Sequence, residues 1–317
     1  MELELRHLRL VLAVADAGSV TKAAAGLGLN QPALTMQLKR IERILGGALF
    51  VRGRQGVEPT PLGDLVLTRA RVLIPAVTDL HSEISELVMD GGPSRYRVGV
   101  TNGPIVGGLL QRLTTAYPDA QVAMHSSWSA NELAQQVLAG DLEYALVGAC
   151  AEATPAAGLP LVWRAVSVDP VWVLLNERHP LAGRDEVDLA ELSAERWVTA
   201  PGDGCFQECF ADACARAGFA PRAPHEIDVG AAFDLVAAGQ AVALCQGTVR
   251  SLPGVTAVPL AGAPLRWRHL LGWDPVGAAA RYAPAVVEMA SGAYGEIVSQ
   301  RPRYQSWLAG NPGFGAA

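Results

Sequence analysis

The fold of the N-terminal region is decided by the stretch NQPALTMQLKRIE, residues 30–42. Asn30 is a favourable N-cap residue, and Pro32 lies in the first helical turn, where its missing N–H costs nothing. Aliphatic residues recur at helical spacing from Leu34 to Ile41 and form one apolar stripe. The sequence therefore predicts an amphipathic helix that starts at Asn30.

The opposite face of this helix carries amide, hydroxyl and basic side chains. From Val20 to Arg54 there are six basic residues and one acidic residue, Glu42. Amide and hydroxyl groups near the start of an exposed helix suit base edges, while basic groups suit phosphates. The pattern indicates a DNA-contacting helix, although an ordinary amphipathic helix with a solvated charged face would share it.

A second short helix is predicted immediately before this one. Residues 20–29 are rich in alanine, Ser19 or Thr21 can cap them, and Gly28 ends them. A small-residue helix, a glycine turn and a capped helix with polar groups at its start are typical of a helix-turn-helix.

The stretch from Leu5 to Gly63 resembles the N-terminal domain of the LysR-type transcriptional regulators. The matching residues are Arg6, His7, Leu8, Gly18, Ser19, Ala23, Ala24, Leu29, Gln31 to Thr35, Leu38, Ile41, Glu42, Leu45, Gly46, Leu49, Phe50, Arg52, Thr60 and Gly63. The chain departs from the family at Met36, where a polar or basic residue is common, and at Pro59, where an aliphatic residue is usual. The resemblance implies that position 52 grips the phosphate backbone. The residues expected to contact DNA are Ser19, Thr21, Lys22, Asn30, Gln31, Pro32, Thr35, Lys39, Arg52 and Arg54.

Charge and composition restrict the kinds of protein that the chain can be. At 317 residues, half of them apolar, the chain is long enough for two or three domains with sizeable cores. Residues 1–60 hold eight basic and five acidic side chains, a net of +3, which leaves −9 for the rest. A cationic end on an acidic body fits a protein that touches double-stranded DNA at one end only.

We expect a cytoplasmic protein without membrane contact. No secretory signal is visible, because Glu2 and Glu4 precede no apolar run. No stretch reaches about 18 consecutive apolar residues, the length of a membrane span. Five cysteines without a signal peptide favour reduced thiols.

The first 92 residues are predicted to form a winged helix-turn-helix, over 1–59, and a linker helix, over 60–92. Two short extended segments flank a glycine-containing turn near residue 54 and predict a β-hairpin, the wing. Thr60 and Pro61 then restart a helix as cap and first residue. Its apolar residues recur every 3.5 positions, the period of a coiled-coil seam, so we expect a homodimer and, as the family commonly assembles, a homotetramer. The predicted seam residues are Val66, Ala70, Leu73, Val77, Leu80, Ile84 and Leu87.

Strands and helices alternate through the rest of the chain and predict an α/β fold with parallel pairing. Two such units without an enzyme motif resemble the two-lobed, doubly wound periplasmic-binding-protein-like sensor domain of the same family. We expect this effector-binding domain over 93–300, with lobe I at about 93–165 and 267–300 and lobe II at about 166–266. Residues 301–317, rich in Pro and Gly, are expected to be a flexible tail.

A small-molecule effector is expected in the cleft between the two lobes. In open α/β sheets, ligands bind beyond the carboxyl ends of strands, against helix N-termini. The same small polar residues would also serve as ordinary helix caps. The candidates are Thr101, Asn102, Gly103, Ser126, Ser127, Trp128, Gly202, Asp203, Gly204, Gln246, Gly247 and Thr248.

Cys205 and Cys214 occupy positions similar to the redox pair of the family's peroxide-sensing branch. The intervening residues do not resemble that branch, and a helix would hold the pair about 13 Å apart, too far for a disulfide. The favoured interpretation is that both cysteines are small apolar residues that pack in the core.

We expect neither a metal nor another cofactor. The six histidines are scattered singly without metal spacing. A ligand-responsive transcription regulator that binds a dyad-symmetric promoter site explains both halves of the chain. A solute-binding protein explains only the second half, and an enzyme lacks any visible catalytic group.

Overall fold

The computed structural model describes residues 3–53, 56–89, 94–101, 103–150, 153–202 and 206–317. The chain divides into two compact units, Met1–Asp90 and Gly91–Ala317. No helix of the described residues is long and apolar enough to cross a bilayer.

The secondary structure alternates as expected for an α/β protein with a helical N-terminal unit. The helices are α1 (Leu5–Ala17), α2 (Val20–Gly26), α3 (Gln31–Leu45), α4 (Pro61–Met89), α5 (Ile105–Ala116), α6 (Ala130–Leu138), α7 (Phe206–Arg216), α8 (Val229–Ala237), α9 (Ala283–Ser299) and α10 (Pro302–Ala309). The strands are β1 (Phe50–Gly53), β2 (Gly56–Pro59), β3 (Arg95–Val100), β4 (Gln121–Ser126), β5 (Tyr144–Cys150), β6 (Val162–Asn176), β7 (Arg196–Thr199), β8 (Arg222–Glu226), β9 (Val242–Gln246), β10 (Val255–Pro259), β11 (Arg266–Trp273) and β12 (Gly315–Ala316).

The predicted winged helix-turn-helix is confirmed in the N-terminal unit. Helix α3 starts where the sequence predicts it, and the Asn30 side chain accepts a hydrogen bond from the Ala33 N–H at 2.8 Å. Strands β1 and β2 pair antiparallel and form the hairpin of the wing. Leu34 and Ile41 of α3 are fully buried in the core of this unit.

The wing is fixed to the turn between α1 and α2. The Val57 N–H donates to the Gly18 carbonyl oxygen at 3.0 Å. Gly56 has φ of +141°, and a Cβ at this position would lie 2.1 Å from the same oxygen. Only glycine fits so close an approach with this backbone conformation.

The start of α4 is joined equally closely to the start of the wing. The Thr60 hydroxyl donates to the Ala48 carbonyl oxygen at 2.7 Å and accepts from the Gly63 N–H at 3.0 Å. A Cβ on Gly63 would lie 2.1 Å from the Leu49 carbonyl oxygen. The two contacts set the direction in which α4 leaves the winged helix-turn-helix.

Two of the predicted seam residues are wrong. Val66 and Ala70 are buried in the core of their own unit, beside Leu8 of α1, so they are not available to a second chain. The exposed apolar side chains of α4 are instead Leu65, Val72, Leu73, Leu80 and Ile84. At about 100° per residue, Leu73, Leu80 and Ile84 lie within about 40° of Val66, on the predicted seam, whereas Leu65 and Val72 lie about 100–120° from it. Val77 is half-buried, and the side chain of Leu87 lies outside the described residues.

The C-terminal unit contains two parallel sheet segments joined by antiparallel strands. In the first segment β3 lies between β4 and β5, parallel to both, and in the second β7 lies between β8 and β9 in the same way. Strand β6 pairs with β11 along its first half and with β9 and β10 along its second half. β6 therefore runs from one lobe into the other, and the β6–β11 pair connects the two lobes.

The prediction of a flexible tail over 301–317 is wrong. Pro302 starts α10, and Tyr304 on this helix is 1% exposed. Strand β12 pairs with Val168 and Ser167 of β6. The Pro and Gly content of the segment suggested mobility, but its aromatic residues supply the apolar surface that holds it against the crossing strand.

Replacing Gly63 by alanine tests the junction between α4 and the wing. The added methyl would meet the Leu49 carbonyl oxygen, so we expect the free energy of unfolding of the N-terminal unit to fall by about 1–3 kcal/mol. Gly26→Ala is the matched control, because nothing lies within 4 Å of its added Cβ. Urea titration should show that variant unchanged or slightly stabilised; an equal loss in both would contradict the close approach.

Candidate functional site

The outer surface of the helix-turn-helix is polar and cationic. Lys39 and Arg43 are exposed on α3, on the side away from the buried Leu34. Glu42, the one acidic residue of the region, turns inward, where its Oε1 accepts from the Leu49 N–H at 2.9 Å. The Glu42 carboxylate thus makes a hydrogen bond within the unit, and the charged side chains on the outward face of α3 are basic.

Three of the predicted DNA-contacting residues have structural roles. The side chains of Ser19 and Asn30 cap α2 and α3 by accepting from the N–H groups of Lys22 and Ala33. The Thr35 hydroxyl donates to the Gln31 carbonyl oxygen at 2.9 Å. The remaining predicted residues on the two helices are exposed: Thr21, Lys22, Gln31, Pro32 and Lys39.

Of the two predicted basic residues of the wing, the structure describes only the backbone of Arg52. The backbone of Arg52 belongs to β1 and pairs with Val57. The side chain of Arg52 and the whole of Arg54 lie outside the described residues.

In lobe I the predicted ligand residues lie at the ends of β3 and β4, as expected. The Thr101 hydroxyl accepts from the Gly148 N–H at 3.2 Å. Gly103 lies against the His269 ring, since a Cβ there would be 3.6 Å from Cε1. Ser127 Oγ donates to Glu132 at 2.5 Å, whereas Ser126 and Trp128 are exposed.

In lobe II the loop after β9 is more enclosed than a ligand-lining loop would be. Thr248 is 1% exposed and donates to Asp169 Oδ2 at 3.2 Å. Gly247 lies beneath the Tyr304 ring, with only 2.5 Å between its added Cβ and the ring. Gln246 is half-buried and Gly202 exposed. Asn102, Asp203 and Gly204 lie outside the described residues.

A buried polar cluster on the β6–β11 crossing was missed by sequence reasoning. Its centre is Asp169, a fully buried carboxylate on β6. Tyr304 donates to Oδ1 at 2.9 Å, and His269 Nε2 lies 3.4 Å from Oδ2. Tyr294 of α9 shares a 2.8 Å hydrogen bond with Tyr304. Residues from α9, α10, β6 and β11 thus meet around one side chain.

The tyrosines of this cluster remain protonated at any ordinary pH. Burial raises the pKa of Tyr304 far above its usual value, and the charge of Asp169 and the neighbouring Tyr294 raise it further. Burial and the charge of Asp169 raise the pKa of Tyr294 as well. Both hydroxyls are therefore permanent hydrogen-bond donors, and a buried carboxylate needs such donors.

Two buried hydroxyls have no hydrogen-bond partner among the described residues, Ser167 Oγ beside the cluster and Thr199 Oγ1 at the end of β7. Ser167 pairs with His269 across the β6–β11 ladder, so the two side chains share one face. Thr199 ends β7, where α/β sheets bind ligands. Buried polar groups are normally satisfied, so these two are candidates to meet a ligand or water. The signal in the sequence was a polar residue inside each apolar strand.

Two of the described cysteines, Cys214 and Cys245, are poorly suited to thiolate chemistry. Burial raises the pKa of the Cys214 thiol to about 11 and that of Cys245 to about 12, which disfavours the reactive thiolate. Cys205 lies outside the described residues. No group of three potential metal ligands occurs in the described part of the chain.

A winged helix-turn-helix followed by a two-lobed α/β domain defines a DNA-binding regulator with a sensor domain. Family profiles agree over both halves of the chain. Residues 5–64 match the bacterial regulatory helix-turn-helix protein of the lysR family, and residues 91–293 match the LysR substrate binding domain. The chain belongs to the LysR family of transcriptional regulators.

Similar proteins cover nearly the whole chain. A small neutral protease regulatory protein of Streptomyces coelicolor is 39% identical, with 98% of this chain and 92% of the relative aligned. A protein of the same name from Streptomyces lividans is 40% identical over 98% and 88%. Full-length CbnR in complex with its target DNA shares the fold at a TM-score of 0.69, with 20% identity over 92% of this chain and all of CbnR.

Removing the Tyr304 hydroxyl tests the buried cluster. Tyr304→Phe takes one donor from Asp169, so we expect the sensor unit to lose about 1.5–3 kcal/mol of unfolding free energy. Tyr294→Phe is the comparison variant, because its hydroxyl bonds Tyr304, whereas the Tyr304 hydroxyl donates directly to Asp169 at 2.9 Å. Chemical denaturation should show the smaller loss for the control, and the reverse order would contradict this arrangement.

Proposed function

We propose that the chain is a transcription regulator that binds a dyad-symmetric promoter site as a homo-oligomer and is switched by a small metabolite. The observation that carries the proposal is the surface of α3, where Lys39 and Arg43 face outward and the half-buried Glu42 accepts a hydrogen bond from the Leu49 N–H. A helix with this surface suits the major groove and the phosphates beside it.

The proposed dyad symmetry of the DNA site follows from the pairing of two copies of α4. Leu73, Leu80 and Ile84 form an exposed apolar row on the same side of the helix as the buried Val66, beyond the core of the N-terminal unit, with Leu65 and Val72 exposed beside it. A second copy of α4 is the natural partner for such a row. Two paired α4 helices carry two winged helix-turn-helix units, so the binding site should contain two half-sites related by a dyad. Further pairing of dimers would give the tetramer.

The effector is proposed to bind at the β6–β11 crossing between the lobes. Ser167 on the crossing and Thr199 at the end of β7 offer buried hydroxyls without a partner among the described residues, and Gly103 of lobe I lies against His269, which pairs with Ser167. These groups suit a small organic metabolite with hydroxyl, amide or carbonyl groups. Lobes joined through a crossing strand can be shifted by a ligand that prefers one arrangement.

The names of the Streptomyces relatives suggest the regulated output. Both are called small neutral protease regulatory proteins, and the similarity extends over nearly the whole of each chain. We infer that a protease gene is among the targets of this regulator.

Two substitutions on α3 should separate phosphate binding from base reading. Lys39→Ala should weaken binding to all duplexes alike and lower the slope of log affinity against log salt by about 0.9 for each phosphate that the lysine neutralises. Gln31→Ala should instead relax the base preference. The measurement is affinity for a duplex enriched from a randomised pool and for random duplex, at several salt concentrations.

Arg216→Ala, an exposed cation in the sensor unit, is the matched control and should leave the binding unchanged. Equal losses on enriched and random duplex for both α3 variants would contradict the assignment of roles.

Ser167→Ala tests the effector site without removing a contact made inside the chain. Since the hydroxyl has no partner among the described residues, the free protein should keep its stability or gain slightly. A metabolite found by thermal-shift screening of the unaltered protein should bind this variant roughly tenfold more weakly. The exposed Ser193→Ala is the control. An unchanged affinity for Ser167→Ala would place the effector elsewhere.

A further inference from the structure

Helix α3 exposes a large apolar side chain in the middle of its polar surface. Met36 is 69% exposed, more than any other large apolar side chain described in the N-terminal unit. Its neighbours on the chain, Thr35 and Gln37, do not cover it. A single exposed apolar side chain is common on protein surfaces, so the case for a partner rests on where Met36 lies on the helix.

The direction of Met36 follows from the geometry of the helix. At about 100° per residue, Met36 points nearly opposite to the buried Leu34 and Ile41. Pro32 precedes it by one turn, and Lys39 and Arg43 follow it on the same side. Met36 therefore lies at the centre of the outward face, with cations on the side of the helix C-terminus.

The hydroxyl nominated from the sequence is less well placed than Met36. Thr35 is half-buried, and its proton is given to the Gln31 carbonyl oxygen at 2.9 Å. Its remaining lone pairs accept but the hydroxyl offers no free donor in this arrangement. The side chain that projects furthest from the core at this level of the helix is apolar.

The surroundings of Met36 select DNA as its partner. Lys39 and Arg43 complement a polyanion, and the nearby Glu42 carboxylate is engaged with Leu49 inside the unit. The floor of the major groove presents one apolar group, the C5 methyl of thymine. Methionine is flexible and polarizable, so it adapts to a single methyl group more readily than a branched side chain does.

We propose that Met36 is a specificity-determining residue that reads thymine by packing its thioether chain against the C5 methyl, once in each half-site. This inference rests on the proposed function, because it requires α3 to lie in the major groove. It assigns direct sequence readout to an apolar contact beside the hydrogen bonds of Gln31.

The test replaces one methyl group at a time. Full-length protein is used to enrich a duplex from a randomised pool, and each thymine of that duplex is then changed to deoxyuridine. Burial of one methyl corresponds to about a fourfold change in Kd. We expect one thymine in each half-site whose change weakens the unaltered protein about fourfold, and roughly tenfold or more when both are changed.

Met36→Ala should bind the thymine duplex more weakly and show no further loss with deoxyuridine at those two positions. Met36→Leu keeps an apolar side chain and should retain the sensitivity. Leu27→Ala is the matched control, since it removes a half-exposed apolar side chain at the end of α2. Circular dichroism confirms the fold of each variant.

The outcomes separate the two claims. If the unaltered protein and Met36→Ala lose the same factor at every thymine, Met36 reads no methyl group and the inference is overturned. If the pool yields no enriched sequence at all, sequence-specific binding fails, and the inference fails with it.

Discussion

The apolar seam of helix α4 extends beyond the core of its own unit. Val66 and Ala70 complete that core, while Leu73, Leu80 and Ile84, further along the same side of the helix, remain exposed. Full burial of a side chain of this size is worth about 1.5–3 kcal/mol, so a row of them strongly favours pairing with a second copy. Close contacts at Gly63 and Thr60 fix the start of α4 to the wing, so pairing of α4 would also place two winged helix-turn-helix units at a defined separation.

The sensor unit depends on a comparable shared element, the crossing strand β6. Asp169 on this strand collects hydrogen bonds from Tyr304 and Thr248, and His269 lies within 3.4 Å. A buried carboxylate deprived of these partners would be strongly destabilising, so the segments that carry them are held together. The neighbouring Ser167 hydroxyl has no such partner among the described residues. Satisfied and unsatisfied polar groups therefore lie side by side where a ligand would have most influence on the arrangement of the lobes.

Local signals in the sequence predicted most of the fold. The caps at Ser19 and Asn30, the hairpin and the alternation of strands and helices depend on neighbouring residues, and all are present. The errors concern long-range packing. Periodicity gave the spacing of the α4 seam but not how many of its residues the core of the N-terminal unit would bury. Composition could not show that Tyr304 would find Asp169, 135 residues away. The direction of Met36 was available from helical geometry, because Leu34 and Ile41 define the buried side.

The proposed binding to a dyad-symmetric DNA site depends on the pairing of two α4 helices. Sedimentation velocity tests this pairing most directly. The double variant Leu73→Asp, Leu80→Asp would place charges in the exposed row, while Thr68→Asp places one on another exposed side of the same helix. We predict that the double variant sediments as a folded monomer and that the Thr68 variant keeps the oligomer of the unaltered protein. A double variant that sediments with its native oligomeric mass would contradict the account.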